Sequence, residues 1–98
     1  MLTKTEALEL VSKKLNERDS GEPCMVVDAQ TIEKPYGWIV FYNSKKFVQT
    51  GIFRYRLAGN GPVIVNKHTG TLEFCGTNKS VKELLEDYER KLNSFGAV

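Results

Sequence analysis

The run Leu57-Ala58-Gly59-Asn60-Gly61-Pro62 stands directly before the apolar triplet Val63-Ile64-Val65 and restricts the backbone more than any other stretch. Gly59 and Gly61 can take positive φ without steric cost, and Asn60 tolerates it better than most residues. Pro62 fixes its own φ and pushes Gly61 out of the helical region. The chain must therefore turn sharply and enter a strand at once. By itself the run requires only a tight connection.

The segments around it set the architecture. Thr3 and Glu6 have capping-box spacing, and Ala7, Leu8, Val11 and Leu15 follow at helical intervals, so a first helix is predicted. Asp19-Ser20-Gly21-Glu22-Pro23 reads as a linker. A strand is predicted over Cys24 to Ile32, a short hairpin loop over residues 33–37, and a second strand over Trp38 to Asn43. Residues 44–61 read either as a continuation of that strand past a bulge or as a loop leaving the sheet. Within them, Phe53, Tyr55 and Leu57 alternate with Ile52, Arg54 and Arg56, a pattern suited to a short edge strand or an extended arm. Val63 to Lys67 and Thr71 to Cys75 flank His68-Thr69-Gly70 as a hairpin. Ser80 and Glu83 form a second capping box. Val81, Leu84, Leu85, Tyr88 and Leu92 make one apolar stripe, with Gly96 as a stop.

The expectation is a single α+β domain over residues 1–98. It has an antiparallel sheet of about four to five strands with N- and C-terminal helices, in the order α-β-β-(arm)-β-β-α. Both helices are expected on one face of the sheet. That placement raises a difficulty, because Trp38, Val40 and Tyr42 share one face of their strand while Ile39 and Phe41 share the other. Either the arm buries the excess apolar surface or an aromatic patch is exposed for binding.

Bulk properties narrow the function. Ninety-eight residues bury about two thirds of their unfolded surface, enough for a modest core without a metal or disulfide. Fourteen basic and 12 acidic residues leave a net charge of +2, too balanced to imply nucleic acid or membrane partners. Charges at Lys4, Glu6, Glu9, Lys13 and Lys14 interrupt the first helix, so it does not read as a signal peptide. No run approaches the roughly 20 apolar residues of a membrane span. A cytoplasmic protein is expected, with Cys24 and Cys75 as small buried thiols.

Catalytic groupings are thin. His68 is the single histidine and falls in a hairpin turn, and Cys75 lies near the far end of that hairpin, unlike a nucleophile beside its base. One histidine and two distant cysteines give no metal-ligand spacing. Asp28 and Glu33 read as surface charges. Gly59-Asn60-Gly61 lacks the Lys-Ser/Thr and helix of a phosphate-cradling loop. No enzyme activity, metal or cofactor is expected. Lys45, Lys46, Arg54 and Arg56, by contrast, lie close together without an acid and interleave with Phe47, Phe53 and Tyr55. Such a surface suits a solvated edge that resists aggregation, a protein interface, or single-stranded nucleic acid.

The order of motifs adds a further expectation. Trp38-Ile39-Val40-Phe41-Tyr42, Thr50-Gly51, Leu57 to Pro62, Ile64-Val65, Gly70, Gly76-Thr77 and Tyr88 resemble the immunity protein 35 family of bacteria, also called the YrhB-like domain. The resemblance spans roughly residues 3–96; its Trp38 to Thr77 core is specific and the flanking helices are generic. It departs at Ile52, where the family is often acidic, and at Asn78, where it is commonly small and apolar. Gly51, Leu57, Gly59, Asn60, Pro62, Gly70, Gly76, Thr77 and Tyr88 match as fold-setting positions. The resemblance implies a bacterial protein that binds and silences a cognate polymorphic toxin without catalysis. Trp38, Tyr42, Arg54, Tyr55, Arg56 and Asn60 are the candidate contacts. The alternatives are a small chaperone-like binding protein or a single-stranded nucleic acid binder using residues 45–56; the charge balance disfavours the last. Monomer and dimer are both open.

Overall fold

A computed structural model describes residues 1–17, 23–56 and 61–94, apart from the side chains of residues 93 and 94. The 19–23 linker up to residue 22, the matched positions Leu57, Gly59 and Asn60, and the expected stop at Gly96 lie outside the described residues.

The elements run α1 (Lys4–Glu17), β1 (Cys24–Val26), β2 (Ile32–Lys34), β3 (Gly37–Val40), β4 (Tyr42–Ser44), α2 (Lys45–Thr50), β5 (Val63–Asn66), β6 (Leu72–Phe74) and α3 (Val81–Ser94). Single 3-10 turns occupy Asp28–Gln30 and Phe53–Tyr55. The main sheet is antiparallel in the order β2-β3-β5-β6, and β1 pairs with β4 as a separate two-stranded ladder.

Both helix starts follow from local chemistry. The Thr3 amide donates to Glu6 Oε1 at 2.9 Å and the Glu6 amide to Thr3 Oγ1 at 3.2 Å. The Ser80 amide donates to Glu83 Oε1 and the Glu83 amide to Ser80 Oγ, each at 3.2 Å. Each box satisfies donors that a helix N-terminus otherwise leaves without partners.

The bifacial apolar strand has a simple explanation: the two long helices lie on opposite faces of the sheet. Ala7, Val11 and Leu15 of α1 pack with Trp38, Val40, Val63 and Val65. Leu85, Tyr88 and Leu92 of α3 pack with Ile39 and Ile64. The expectation of both helices on one face is therefore corrected. Pairing of Trp38 with Val65, Ile39 with Ile64 and Val40 with Val63 aligns these alternations across β3 and β5. Burying each such aliphatic side chain stabilises the fold by roughly 1.5–3 kcal/mol. A sheet covered on both sides needs apolar residues at every central position, so neither arm nor exposed patch is required at Trp38–Phe41.

Two expected strands are each broken once. The 24–32 strand is interrupted by the Asp28–Gln30 turn, and the 38–43 strand at Phe41. The breaks face each other, bridged by the Val27 amide donating to the Phe41 carbonyl at 2.8 Å. The paired kinks let β1 and β4 diverge from the main sheet while the chain stays hydrogen-bonded.

Gly61 owes its identity to crowding. A Cβ there would lie 2.2 Å from the Cys75 carbonyl oxygen and 2.5 Å from that of Gly76. The Pro62 carbonyl beside it accepts from the Cys75 amide at 2.9 Å. Close backbone approach excludes any side chain at position 61.

Candidate functional site

The extended arm expected after β4 is instead a compact knob. Ser44, almost fully buried, caps α2 by accepting from the Phe47 amide at 3.1 Å. Its hydroxyl also donates to the Tyr55 carbonyl. One small side chain thus joins the start of α2 to the Phe53–Tyr55 turn. Gly51 ends α2 with φ 72°, and its amide donates to the Phe47 carbonyl at 2.8 Å. The alternation of aromatic and arginine residues does not form an edge strand: the Tyr55 amide donates to the Ile52 carbonyl and the Arg56 amide to that of Phe53. Sequence reasoning passed over Ser44, although serine before Phe47 at cap spacing was the available signal.

The knob presents aromatic rings and cations together. Phe53 is 75% exposed and Ile52 48%. The Arg56 guanidinium lies 5.7 Å from the Phe53 ring centre, while Lys46 and Arg54 lie 5.5 and 5.3 Å from that of Tyr55. Among the described residues, no carboxylate forms an ion pair with Lys45, Lys46, Arg54 or Arg56.

Beside the knob runs a groove of about 700 Å³. Phe47, Val48 and Gly51 of the knob form one wall, with Arg56 at its rim. Ser80, Val81 and Leu84 of α3 form the opposite wall. Between them lie Phe41 and Tyr42, then Gly61-Pro62 and Gly76-Thr77. The expected apolar stripe of α3 is thus divided: Leu85, Tyr88 and Leu92 hold the sheet, whereas Val81 and Leu84 face the groove. Lys79 also reaches the groove, but its charge is engaged by Asp87, whose carboxyl it holds below the usual carboxylate range.

The candidate contacts separate in space. Trp38 is 4% exposed and packs under α1, with Lys67 5.6 Å above its ring, so it is a core residue and not a surface contact. Tyr42 is partly buried against the same core and also reaches the groove. Arg54 and Tyr55 belong to the knob, and Arg56 belongs to both. Of the matched positions, Gly51, Pro62, Gly76 and Thr77 converge on the groove. Gly70, with φ 74°, closes the β5–β6 hairpin, and Tyr88 is buried under the sheet.

The sequence profile described as Immunity protein 35 matches residues 5–91. The chain belongs to the Immunity protein 35 family. A relative from Escherichia coli (strain K12), described as "Uncharacterized protein YrhB", is 42% identical over 60 residues. That alignment covers 61% of this chain and 64% of the relative, so less than two thirds of the relative's length is spanned. No solved structure matches.

The other chemistry-bearing residues are scattered within this family fold. His68 is exposed in its hairpin, where its amide donates to Asn66 Oδ1 at 2.9 Å. Burial, and secondarily the Glu73 carboxylate, push the Cys75 thiol above its ordinary pKa, away from the thiolate a nucleophile needs. Asp28 pairs with Lys4 at 3.0 Å on the surface. Among the described residues no group of three or more His, Cys, Asp or Glu side chains is placed to hold a metal, and no helix is long and apolar enough to cross a membrane.

Proposed function

We propose that this chain is an immunity protein that neutralises a cognate toxin domain by stoichiometric binding, without catalysis. Membership of the Immunity protein 35 family across residues 5–91 carries the reading. The knob supports it: exposed Phe53, half-exposed Ile52 and cations stacked on aromatic rings are the composition that dominates protein interfaces. Arg54, Tyr55 and Arg56 are the contacts we favour, with Tyr42 contributing from the groove floor. Inhibition then follows from shape, by covering the toxin's working surface.

Co-expression with the toxin encoded beside its gene tests this. The chain should restore growth and co-elute with the toxin on gel filtration. A toxin that kills regardless, with no complex formed, would refute the proposal.

A further inference from the structure

None of the 12 acidic residues falls between Glu33 and Glu73, whereas Lys34, Lys45, Lys46, Arg54, Arg56 and Lys67 all do. The fold turns this asymmetry into a surface, because Lys45, Lys46, Arg54 and Arg56 all sit on or beside the knob that walls the groove. No carboxylate lines the groove among the described residues, and Phe47, Val48, Val81 and Leu84 are among its apolar lining. The nearest acids on α3 are already engaged: Glu83 caps Ser80, and Asp87 pairs with Lys79 and Arg90. A largely apolar trough lined by Arg56, which has no ion-pair partner among the described residues, and adjoining a knob that carries three more cations attracts carboxylates and desolvates aliphatic or aromatic side chains.

We infer that this groove is the docking site for an acidic segment of the protein partner. An aliphatic or aromatic anchor of that segment sits between Val48 and Leu84, and its carboxylates face Arg56 and the cations of the knob. The inference rests on reading the chain as a toxin-binding protein and names the kind of toxin surface it recognises. A peptide suits the site better than a compact ligand, because Ile52 and Phe53, which follow the lining residue Gly51 in the chain, expose further apolar surface on the same knob.

The test titrates the isotope-labelled intact chain with two synthetic peptides of equal length, Asp/Glu with Phe/Leu in one and Lys with Phe/Leu in the other. The acidic peptide should shift the amides of Val48, Arg56, Val81 and Leu84, with affinity falling as salt rises. Arg56→Glu should weaken it about tenfold, and Lys13→Glu on α1 should leave it unchanged. Equal binding of the basic peptide, absence of binding by the acidic one, or shifts centred elsewhere would overturn the inference. So would displacement of the acidic peptide by a single-stranded oligonucleotide through the same residues. A second arm uses the toxin itself with Arg56→Glu and with Val48→Asp, the latter only where its melting matches the unaltered chain. Undiminished toxin binding by folded variants would overturn the groove assignment while toxin binding stands. No toxin complex with the unaltered chain would instead remove the immunity reading, and the peptide titration would still decide the groove.

Discussion

Asn66 Nδ2 donates to the hydroxyl of Tyr88 at 3.3 Å, joining the end of β5 to the middle of α3. The same side chain's Oδ1 accepts from the amides of His68 and Thr69 at 2.9 and 3.1 Å. Asn66 therefore shapes the β5–β6 hairpin and fastens the helix beneath the sheet with one buried amide. Asn66→Ala should lose about 2–3 kcal/mol of stability, because backbone donors and the Tyr88 hydroxyl lose their partner together. Urea unfolding with an unchanged slope would check it.

A second tie lies nearby. The Tyr36 hydroxyl donates to Glu89 Oε2 at 2.9 Å, and its ring lies 5.2 Å from that of Tyr88. Burial first, then the hydrogen bond and charge of Glu89, push the Tyr36 pKa well above its ordinary 10.0. A raised folded-state pKa means that this stabilisation is complete below the unfolded value and disappears as pH rises from there toward the folded value. Stability should thus fall above about pH 10, with one tyrosine ionising only as the chain unfolds. Tyr36→Phe should remove that delayed step from the ultraviolet titration.

Ser44 holds the knob in shape. Ser44→Ala should cost about 1–2 kcal/mol, combining a lost helix cap with a lost bond to the Tyr55 carbonyl. Hydrogen exchange should accelerate mainly over residues 45–56 rather than through the central strands. Toxin affinity should weaken as well, since the exposed rings would lose their fixed placement.

Close backbone contact constrains two glycines. A Cβ at Gly37 would stand 1.8 Å from the Val65 carbonyl oxygen, and one at Gly61 2.2 Å from that of Cys75. Alanine at either position should cost about 3 kcal/mol, the upper part of the range for overpacking. Thermal melting of the two variants would check this.

Phe53 allows the proposed binding to be tested apart from folding. At 75% exposure, Phe53→Ser should change stability by no more than about 0.5 kcal/mol while weakening the toxin complex. Calorimetric titration beside a melting curve measures both.

The parts of this fold written in short-range chemistry were legible in the chain. Thr3 with Glu6 and Ser80 with Glu83 specify helix starts within a single turn, and Gly70 specifies its hairpin, because every interacting group lies within a few residues. The misreadings concern longer range or competing signals. Alternation over Ile52–Arg56 suggested an extended segment, yet turn hydrogen bonds and ring–cation contacts outweigh a period-2 pattern so short. Trp38 looked like a contact because a large aromatic at the start of a strand says nothing about which layer will cover it. Of the candidate site, the basic and aromatic composition was visible beforehand, but the groove was not, since its walls come from segments some thirty residues apart in sequence.

What the sequence alone determined is where the helices begin, that the central strands are apolar on both faces, and that positive charge gathers in the middle third. Only the tertiary structure decided that α1 and α3 take opposite faces and that the knob and α3 enclose a trough. The reason is physical: caps and turns are satisfied by neighbours along the chain, whereas the face a helix covers depends on how distant segments share the burial of one sheet.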